Sequence, residues 1–323
     1  MEHPLCNSSS TNPNPQTSRM KKIIAIGGQT ASGKSSIAVQ LAKEFNGEII
    51  NADSRQIYRL LNIGTAKDPI ESYNNDGTVN IDGVRHHLID ILNPEDDFNL
   101  ALYKKLATEA ISEIIGNKKI PIIVGGTGLY LDAVIYNYDL VEEQIDQSLR
   151  ESLRQNSLEE LQAMLIKEDS EVYASLTQSD KKNPQRLIRS IERLRSGVKI
   201  NQKNTSKYDF LYLGVTQPIP VLNKRIDERV DKMMEQGLEK ENLNLREMGY
   251  SSEQTSLSSI GYKEFNDLIN GTNTIDQTKE LIALHTKQYA KRQLTWFKRN
   301  TDLKWVSSYQ QSLPLVKKFL QRK

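Results

Sequence analysis

Eight residues near the front of the chain, Gly28-Gln29-Thr30-Ala31-Ser32-Gly33-Lys34-Ser35, have the spacing of a phosphate-cradling loop. Backbone N–H groups in such a loop point at an anion, and the helix that starts at its end adds a positive dipole. Lys34 supplies a point charge for a terminal phosphate, and Ser35 offers a hydroxyl to Mg²⁺. Binding of a phosphorylated ligand is the chemistry these residues permit. Whether the ligand is then hydrolysed, phosphoryl is transferred or something else leaves is not written in the loop.

Further candidates follow. Asp53-Ser54-Arg55-Gln56 comes directly after the apolar run that ends at Ala52. Ligands of open α/β sheets sit beyond the carboxyl ends of strands, so Asp53 is aimed at the crevice that holds Lys34. Thr127 lies in Gly125-Gly126-Thr127-Gly128, after another apolar run. Its hydroxyl either faces the same crevice or caps the next helix. Arg225 and Arg229, four apart, share a face if helical. They either reach phosphate oxygens or pair with Asp227 and Glu228. His86 and His87 are adjacent, so on a strand they point to opposite faces, which argues against a shared metal.

The elements that must position these groups are legible in outline. Apolar runs at 23–26, 49–52, 88–91 and 120–124 alternate with helical patterns. That alternation predicts an α/β fold with a parallel sheet and helices on both faces. The loop at 28–35 then joins a buried strand to a helix. From 139 to 201, Leu149, Leu153, Leu158, Leu161, Leu165, Ile188, Ile191 and Leu194 recur at helical intervals among charges, which predicts an all-helical insertion. A strand returns at 210–215, and the rest reads as mostly helix. The P-loop core is thus expected over 20–138 and 202–323, with the insertion at 139–201. Residues 1–19, rich in Ser, Asn, Pro and Thr, read as a disordered tail with neither the apolar stretch of a secretory signal nor the arginines of a presequence.

Composition narrows the class. Apolar residues make up 37%, enough for a sizeable core, and no run approaches the ~18–20 residues of a membrane span. Cys6 is the single cysteine, so neither a disulfide framework nor a cysteine-based zinc site forms. Net charge is only +2, so any case for nucleic acid rests on local charge. Residues 279–304 provide it: Lys279, Lys287, Lys291, Arg292, Lys298, Arg299 and Lys304 stand against Glu280 and Asp302, with Tyr289, Trp296 and Phe297 interleaved. Cations meet phosphates and aromatic rings stack on exposed bases. The alternative is a charged helix with an aromatic core face. A second basic stretch runs through Lys181, Lys182, Arg186, Arg189, Arg193 and Arg195.

Taken in order, the P-loop, DSRQIYR, NIGTAK, HHLIDI, GGTGLY, NPQR, IGYKE and QYAKRQLTWFKR resemble the tRNA dimethylallyltransferase family from about Lys21 to about Arg299. Gln29 stands where that family usually has Pro, and Leu60-Leu61-Asn62 replaces a common Gly-Met-Asp. The chain ends at Lys323 without the zinc finger of many eukaryotic members and looks like the bacterial form.

The resemblance implies transfer of a dimethylallyl group from dimethylallyl diphosphate to the exocyclic amine of adenosine 37 in the tRNA anticodon stem-loop. The expected recipients are tRNAs that read codons beginning with U. It implies Asp53 as general base, Thr127 and Arg229 as further catalytic groups, and residues 28–35 as the diphosphate cradle with Mg²⁺ on Ser35. It also implies tRNA contacts from Asp53, Ser54, Arg55, Gln56, Gln185, Arg186, Gly261, Tyr262 and Lys263, beside the basic pair Lys291 and Arg292. A cytoplasmic, membrane-free monomer is expected. A small-molecule or nucleoside kinase, an adenylate isopentenyltransferase and a non-catalytic RNA-binding module are the rivals. The first leaves the basic aromatic stretch unexplained. The tRNA-contact segments stand against the second, and the intact Lys34-Ser35 pair against the third.

Overall fold

A computed structural model describes residues 20–140, 146–196, 204–252 and 254–322. The 1–19 segment and Cys6 lie outside the described residues, as do parts of the 139–201 boundary regions.

The first half runs β1 (Lys21–Gly28), α1 (Lys34–Phe45), β2 (Gly47–Asn51), β3 (Ser72–Tyr73), β4 (Val79–Ile81), β5 (Val84–His87), α2 (Leu100–Gly116), β6 (Ile120–Gly125) and α3 (Gly128–Ile135). Five helices follow: α4 (Gln147–Arg154), α5 (Leu158–Glu168), α6 (Ser170–Ser175), α7 (Gln178–Lys181) and α8 (Pro184–Arg195). The chain then continues as β7 (Tyr208–Val215), α9 (Ile219–Glu235), α10 (Leu238–Glu247), α11 (Phe265–Ile269), α12 (Ile275–Phe297), β8 (Lys304–Val306) and α13 (Tyr309–Gln321).

Among the described residues the eight strands form one sheet in the order β3-β4-β5-β2-β6-β1-β7-β8. β1 is central, parallel to β6 on one side and to β7 on the other, in register from Lys21↔Tyr208 to Gly28↔Val215. Ile23 to Ile26 are all fully buried, as a strand covered on both faces requires. One face packs on Tyr103, Ala107 and Ile111 of α2, Leu131 and Val134 of α3, and Phe297 of α12. The other packs on Ile37 and Leu41 of α1 and on Val316 and Phe319 of α13.

Two features depart from the sequence expectation. The strand expected at 88–91 lies earlier, at Val84–His87, because Leu88 and Asp90 take left-handed backbone (φ 63° and 54°) that ends the ladder. The sheet is not wholly parallel, since β3, β4 and β5 form an antiparallel meander at one edge. After β7 the chain is mostly helix, and the short β8 adds an opposite edge parallel to β7.

Helices α4 to α8 share their own core of Leu153, Leu161, Leu165, Leu187, Ile188 and Ile191, with Leu149, Leu158 and Leu194 against it. Local signals start each of them. Ser157–Glu160 and Thr177–Asp180 form capping boxes, and Asp146, Asp169 and Asn183 each accept an N–H from the first turn.

Candidate active site

The phosphate loop connects β1 to α1 at the carboxyl edge of the sheet. Gly28 sits at φ +153°, and any side chain there would run into the carbonyl of Val215. Gly33, at φ +95°, occupies the N-cap of α1, a left-handed position that glycine takes without penalty. The loop is held from outside. Gln29 is 3% exposed; its Nε2 donates to the Ala290 carbonyl at 3.2 Å and its Oε1 accepts from the Thr216 hydroxyl at 3.1 Å. The residue that departs from the family's Pro is therefore a side-chain tie to α12 and β7.

Cations converge on the loop. Lys34 Nζ approaches the Gln29 carbonyl at 3.4 Å. Burial drives its pKa down to about 8; the Asp53 and Asp68 carboxylates oppose that, while the Arg229 guanidinium adds to it. From α9, Arg229 Nη1 donates to the Thr30 hydroxyl at 3.2 Å and Arg225 Nη1 to the Ala31 carbonyl at 3.5 Å. Both arginines thus turn to the loop.

Beyond β2, Asn51 and Asp53 build a tight turn. Asp53 N–H donates to Asn51 Oδ1 at 3.1 Å, and Asp53 Oδ1 accepts the Arg55 N–H at 2.9 Å. Thr127 occupies the N-cap of α3 but its side chain makes no cap bond there. Its hydroxyl instead accepts the Ser54 N–H at 3.3 Å, which ties the turn after β6 to the turn after β2. Burial of the Tyr289 hydroxyl, with the nearby Asp53 charge, pushes its pKa up to about 12, while the polar groups of Thr127 and Gln293 oppose that shift.

Two chambers meet here. The first, about 250 Å³, is lined by Lys34, Ser35, Asp68, Asp82, His86 and the apolar Val39, Ile49, Ile81 and Ile89. The second, about 340 Å³, is lined by Ser54, Arg55, Lys263, Thr286, Tyr289 and Arg292. Thr30, Asp53, Thr65, Ala66 and Arg229 line both. Asp53 and Arg229 therefore stand at the junction.

Of the residues expected to touch RNA, Ser54, Arg55, Lys263 and Arg292 line the second chamber, and Gln56 lines the first. Lys291 is exposed on α12. Gln185 and Arg186 are exposed in the first turn of α8, where Arg186 pairs with Asp180; neither lines a chamber. Gly261 holds φ +94° with its Cα side against the Gly64 backbone. The Tyr262 side chain is fully buried in a core with Ile57, Tyr58 and Leu61, and its hydroxyl donates to Glu241 Oε1 at 2.7 Å. That ring supports the wall and has no surface to offer a base.

The basic stretch is also partly spent inside the protein. Lys279 and Lys287 pair with Asp231 and Asp227 of α9, each at 2.6 Å. Phe297 is buried edge-on to Tyr212, and Trp296 Nε1 donates to Asp132 Oδ2 at 3.0 Å. The aromatic core face therefore holds for these two rings. Tyr289 remains at the chamber, with the Arg292 guanidinium 5.7 Å from its ring centre.

Sequence reasoning gave no site role to several residues that line or support the chambers. Asp68 and His86 line the first chamber. His86 Nδ1 meets the Val84 carbonyl at 2.9 Å, which assigns its hydrogen there and leaves Nε2 a lone pair. His87, on the opposite face, meets Glu48 at 2.7 Å. Glu241 accepts the N–H groups of Asn62, Ile63 and Gly64 at 2.9–3.1 Å and so fixes the segment that carries Thr65 and Ala66. A lone Glu on an amphipathic helix gives no such signal in one sequence. Asp68, directly after NIGTAK, was the one within reach.

A glycine loop at the end of the central strand of a mainly parallel sheet, with a lysine and two arginines turned into it, defines an α/β enzyme of the P-loop type. The chain belongs to the IPP transferase family, whose model matches residues 56–300, and it is a prenyltransferase. It is 40% identical over 308 residues to the tRNA dimethylallyltransferase of Staphylococcus aureus, covering 91% of this chain and 95% of that one. Its fold is similar to the tRNA isopentenylpyrophosphate transferase of Bacillus halodurans (TM-score 0.67, 34% identity, 94% and 96% covered). It is also similar to a eukaryotic dimethylallyltransferase acting on tRNA (TM-score 0.77, 25% identity, 93% and 79% covered).

Proposed function

We propose that this protein transfers the dimethylallyl group of dimethylallyl diphosphate to N6 of adenosine 37, beside the tRNA anticodon. The product is N6-dimethylallyladenosine, in tRNAs that read codons beginning with U. The carrying observation is the junction of the two chambers at Asp53 and Arg229. Diphosphate lies in the first chamber, on the loop N–H groups, Lys34 and Arg229. The adenine, unstacked from its loop, enters the second. The N6 lone pair attacks C1 of the donor, a C–N bond forms, and the C1–O bond breaks with its electrons passing to diphosphate. The N6 proton goes to the Asp53 carboxylate. Fixed cations facing the departing charge supply the largest share of the acceleration. Thr127, tied to the turn that carries Asp53, positions that side of the site.

The donor set fits Mg²⁺. Ser35 and Asp68 bring hard oxygen ligands to the first chamber. Among the described residues no cluster of three or more acidic, His or Cys side chains could hold a metal by itself. An ion that keeps waters and takes diphosphate oxygens is what such a site accepts, and it would neutralise charge on the leaving group.

RNA contacts are assigned to Arg55, Lys263 and Arg292 at the chamber, to Lys291 on α12, and to Gln185 and Arg186 on the α4–α8 insertion, which grips the stem-loop from another side. No helix of the described residues is long and apolar enough to cross a membrane. A cytoplasmic monomer completes the reading.

The test is incubation with labelled dimethylallyl diphosphate and total tRNA, or with ATP, or with AMP in place of tRNA. Label in tRNA nucleosides at the mass of the dimethylallyl adduct supports the reading; hydrolysis of ATP without transfer overturns it. Asp53→Asn should still bind diphosphate but lose about 3–5 kcal/mol of transition-state stabilisation. Near-native single-turnover rates would place the base elsewhere.

A further inference from the structure

The geometry points to Gln293 as the positioning residue that sets the spacing between the diphosphate loop and the acceptor-side turn; the inference rests on the prenyl-transfer reading above. Gln293 is 5% exposed on α12. Its Oε1 accepts the Thr30 N–H at 2.8 Å, and its Nε2 donates to the Gly126 carbonyl at 3.0 Å. One side-chain amide thus spans the two loops that face each other across the reacting atoms. Thr30 belongs to the loop that cradles the leaving group and carries the Arg229 contact. Gly126 immediately precedes Thr127, whose hydroxyl holds the Ser54 amide beside Asp53.

The bond directions make the bridge specific. The Thr30 backbone N–H can only donate and the Gly126 carbonyl can only accept, and an amide is the side-chain group that supplies both complements at once. There is no room to slip, since a methyl group added at Gly126 would overlap Gln293 Nε2. One helical turn earlier on α12, Tyr289 lines the second chamber. Two further ties, Ala290 to Gln29 and Trp296 to Asp132, lock this face of α12 against the P-loop and α3. Gln293 touches no reacting atom, yet it fixes how far C1 of the donor stands from the amine and from Asp53. Misplacement by about 1 Å costs on the order of 100-fold in rate.

The test compares native enzyme with Gln293→Met, which keeps length and volume and removes both bonds. Single-turnover transfer from dimethylallyl diphosphate to tRNA should fall about 30- to 100-fold, with dissociation constants for tRNA and for inorganic pyrophosphate within about threefold of native. Gly126→Ala, which pushes the amide aside, should produce the same split, and the double variant should be no worse than either single one. Transfer by Gln293→Met within about threefold of native overturns the inference, as does a loss of both affinities by the same factor as the rate, or additivity in the double variant. If Gln293→Met does not fold, Gly126→Ala decides by the same criteria. Absence of transfer by the native enzyme itself would instead overturn the reading on which the inference stands.

Discussion

Arg229 donates to the Thr30 hydroxyl at 3.2 Å, so α9, which comes after the α4–α8 segment and β7, brings a second cation to the chamber that Lys34 lines. The guanidinium is preplaced beside the loop, so the diphosphate binding proposed above would cost it little side-chain entropy. Arg229→Lys keeps the charge but not the fork. We expect the Michaelis constant for dimethylallyl diphosphate to rise and kcat to fall, together costing roughly 2–3 kcal/mol in kcat/KM. Steady-state kinetics against the prenyl donor at saturating tRNA measures both. An unchanged kcat/KM would mean that the arginine serves only the loop.

Lys34 gives the site a pH signature. Its pKa is lowered to about 8, so in the free protein it is charged below that pH and neutral above it. Affinity for isoprenoid diphosphate, measured without tRNA, should fall as pH rises through about 8, by up to about tenfold per unit until the ligand-bound lysine also titrates. Lys34→Met should bind more weakly at pH 7 and lose that limb. A native profile flat from pH 7 to 9.5 would contradict it.

Salt dependence should separate the cations of α12 and of the turn after it into two sets. Each phosphate contact adds roughly 0.7–0.9 to the slope of log affinity against log salt. Replacing Lys291, Arg292 and Arg299, all exposed, by Ala should flatten the slope for tRNA by about two to three units. Replacing Lys279 and Lys287 should leave the slope nearly unchanged, because those two already pair with Asp231 and Asp227. Filter binding over a range of salt concentrations distinguishes the sets, and equal effects from both would refute the division.

Glu241 carries a stability prediction. Its carboxylate accepts three consecutive backbone N–H groups and the Tyr262 hydroxyl. Glu241→Gln turns an amide NH₂ toward these donors and removes the charge that holds them. Denaturant unfolding should show a loss of about 2–3 kcal/mol, and the tRNA side of the site should suffer more than diphosphate binding. A change under about 0.5 kcal/mol would show that water replaces the carboxylate without cost.

The sequence made the phosphate loop legible because its demands are local: two glycines, a lysine and a hydroxyl within eight residues, flanked by a strand and a helix. The α4–α8 leucines were equally plain, since one period of 3.6 runs through all of them. The HHLIDI segment misled because a short apolar run looks like a strand, while the backbone at Leu88 and Asp90 turns left-handed. The β3–β4 edge is too short and polar to announce itself. At the site, Lys34, Asp53 and Arg229 follow from motif and family. Gln293 and Glu241 do not, because a buried polar side chain is defined by backbone groups far away in sequence, Thr30 and Asn62 among them. Trp296 and Phe297 show the converse, since the alternation of charge and aromatic rings does not say which face is core.

The order of strands in space has a consequence for how the chain comes into being. β1 is made first, yet all eight of its residues pair with β7, which emerges only after α4 to α8. Until then the central strand of the finished sheet is a raw edge of isoleucines, and its glycine loop lacks the α9 and α12 contacts that shape it. Contacts of such long sequence separation are slow to form. The α4–α8 unit, with its own core, can condense meanwhile. The contacts that shape the glycine loop are therefore complete only near the end of synthesis, when α12 leaves the ribosome.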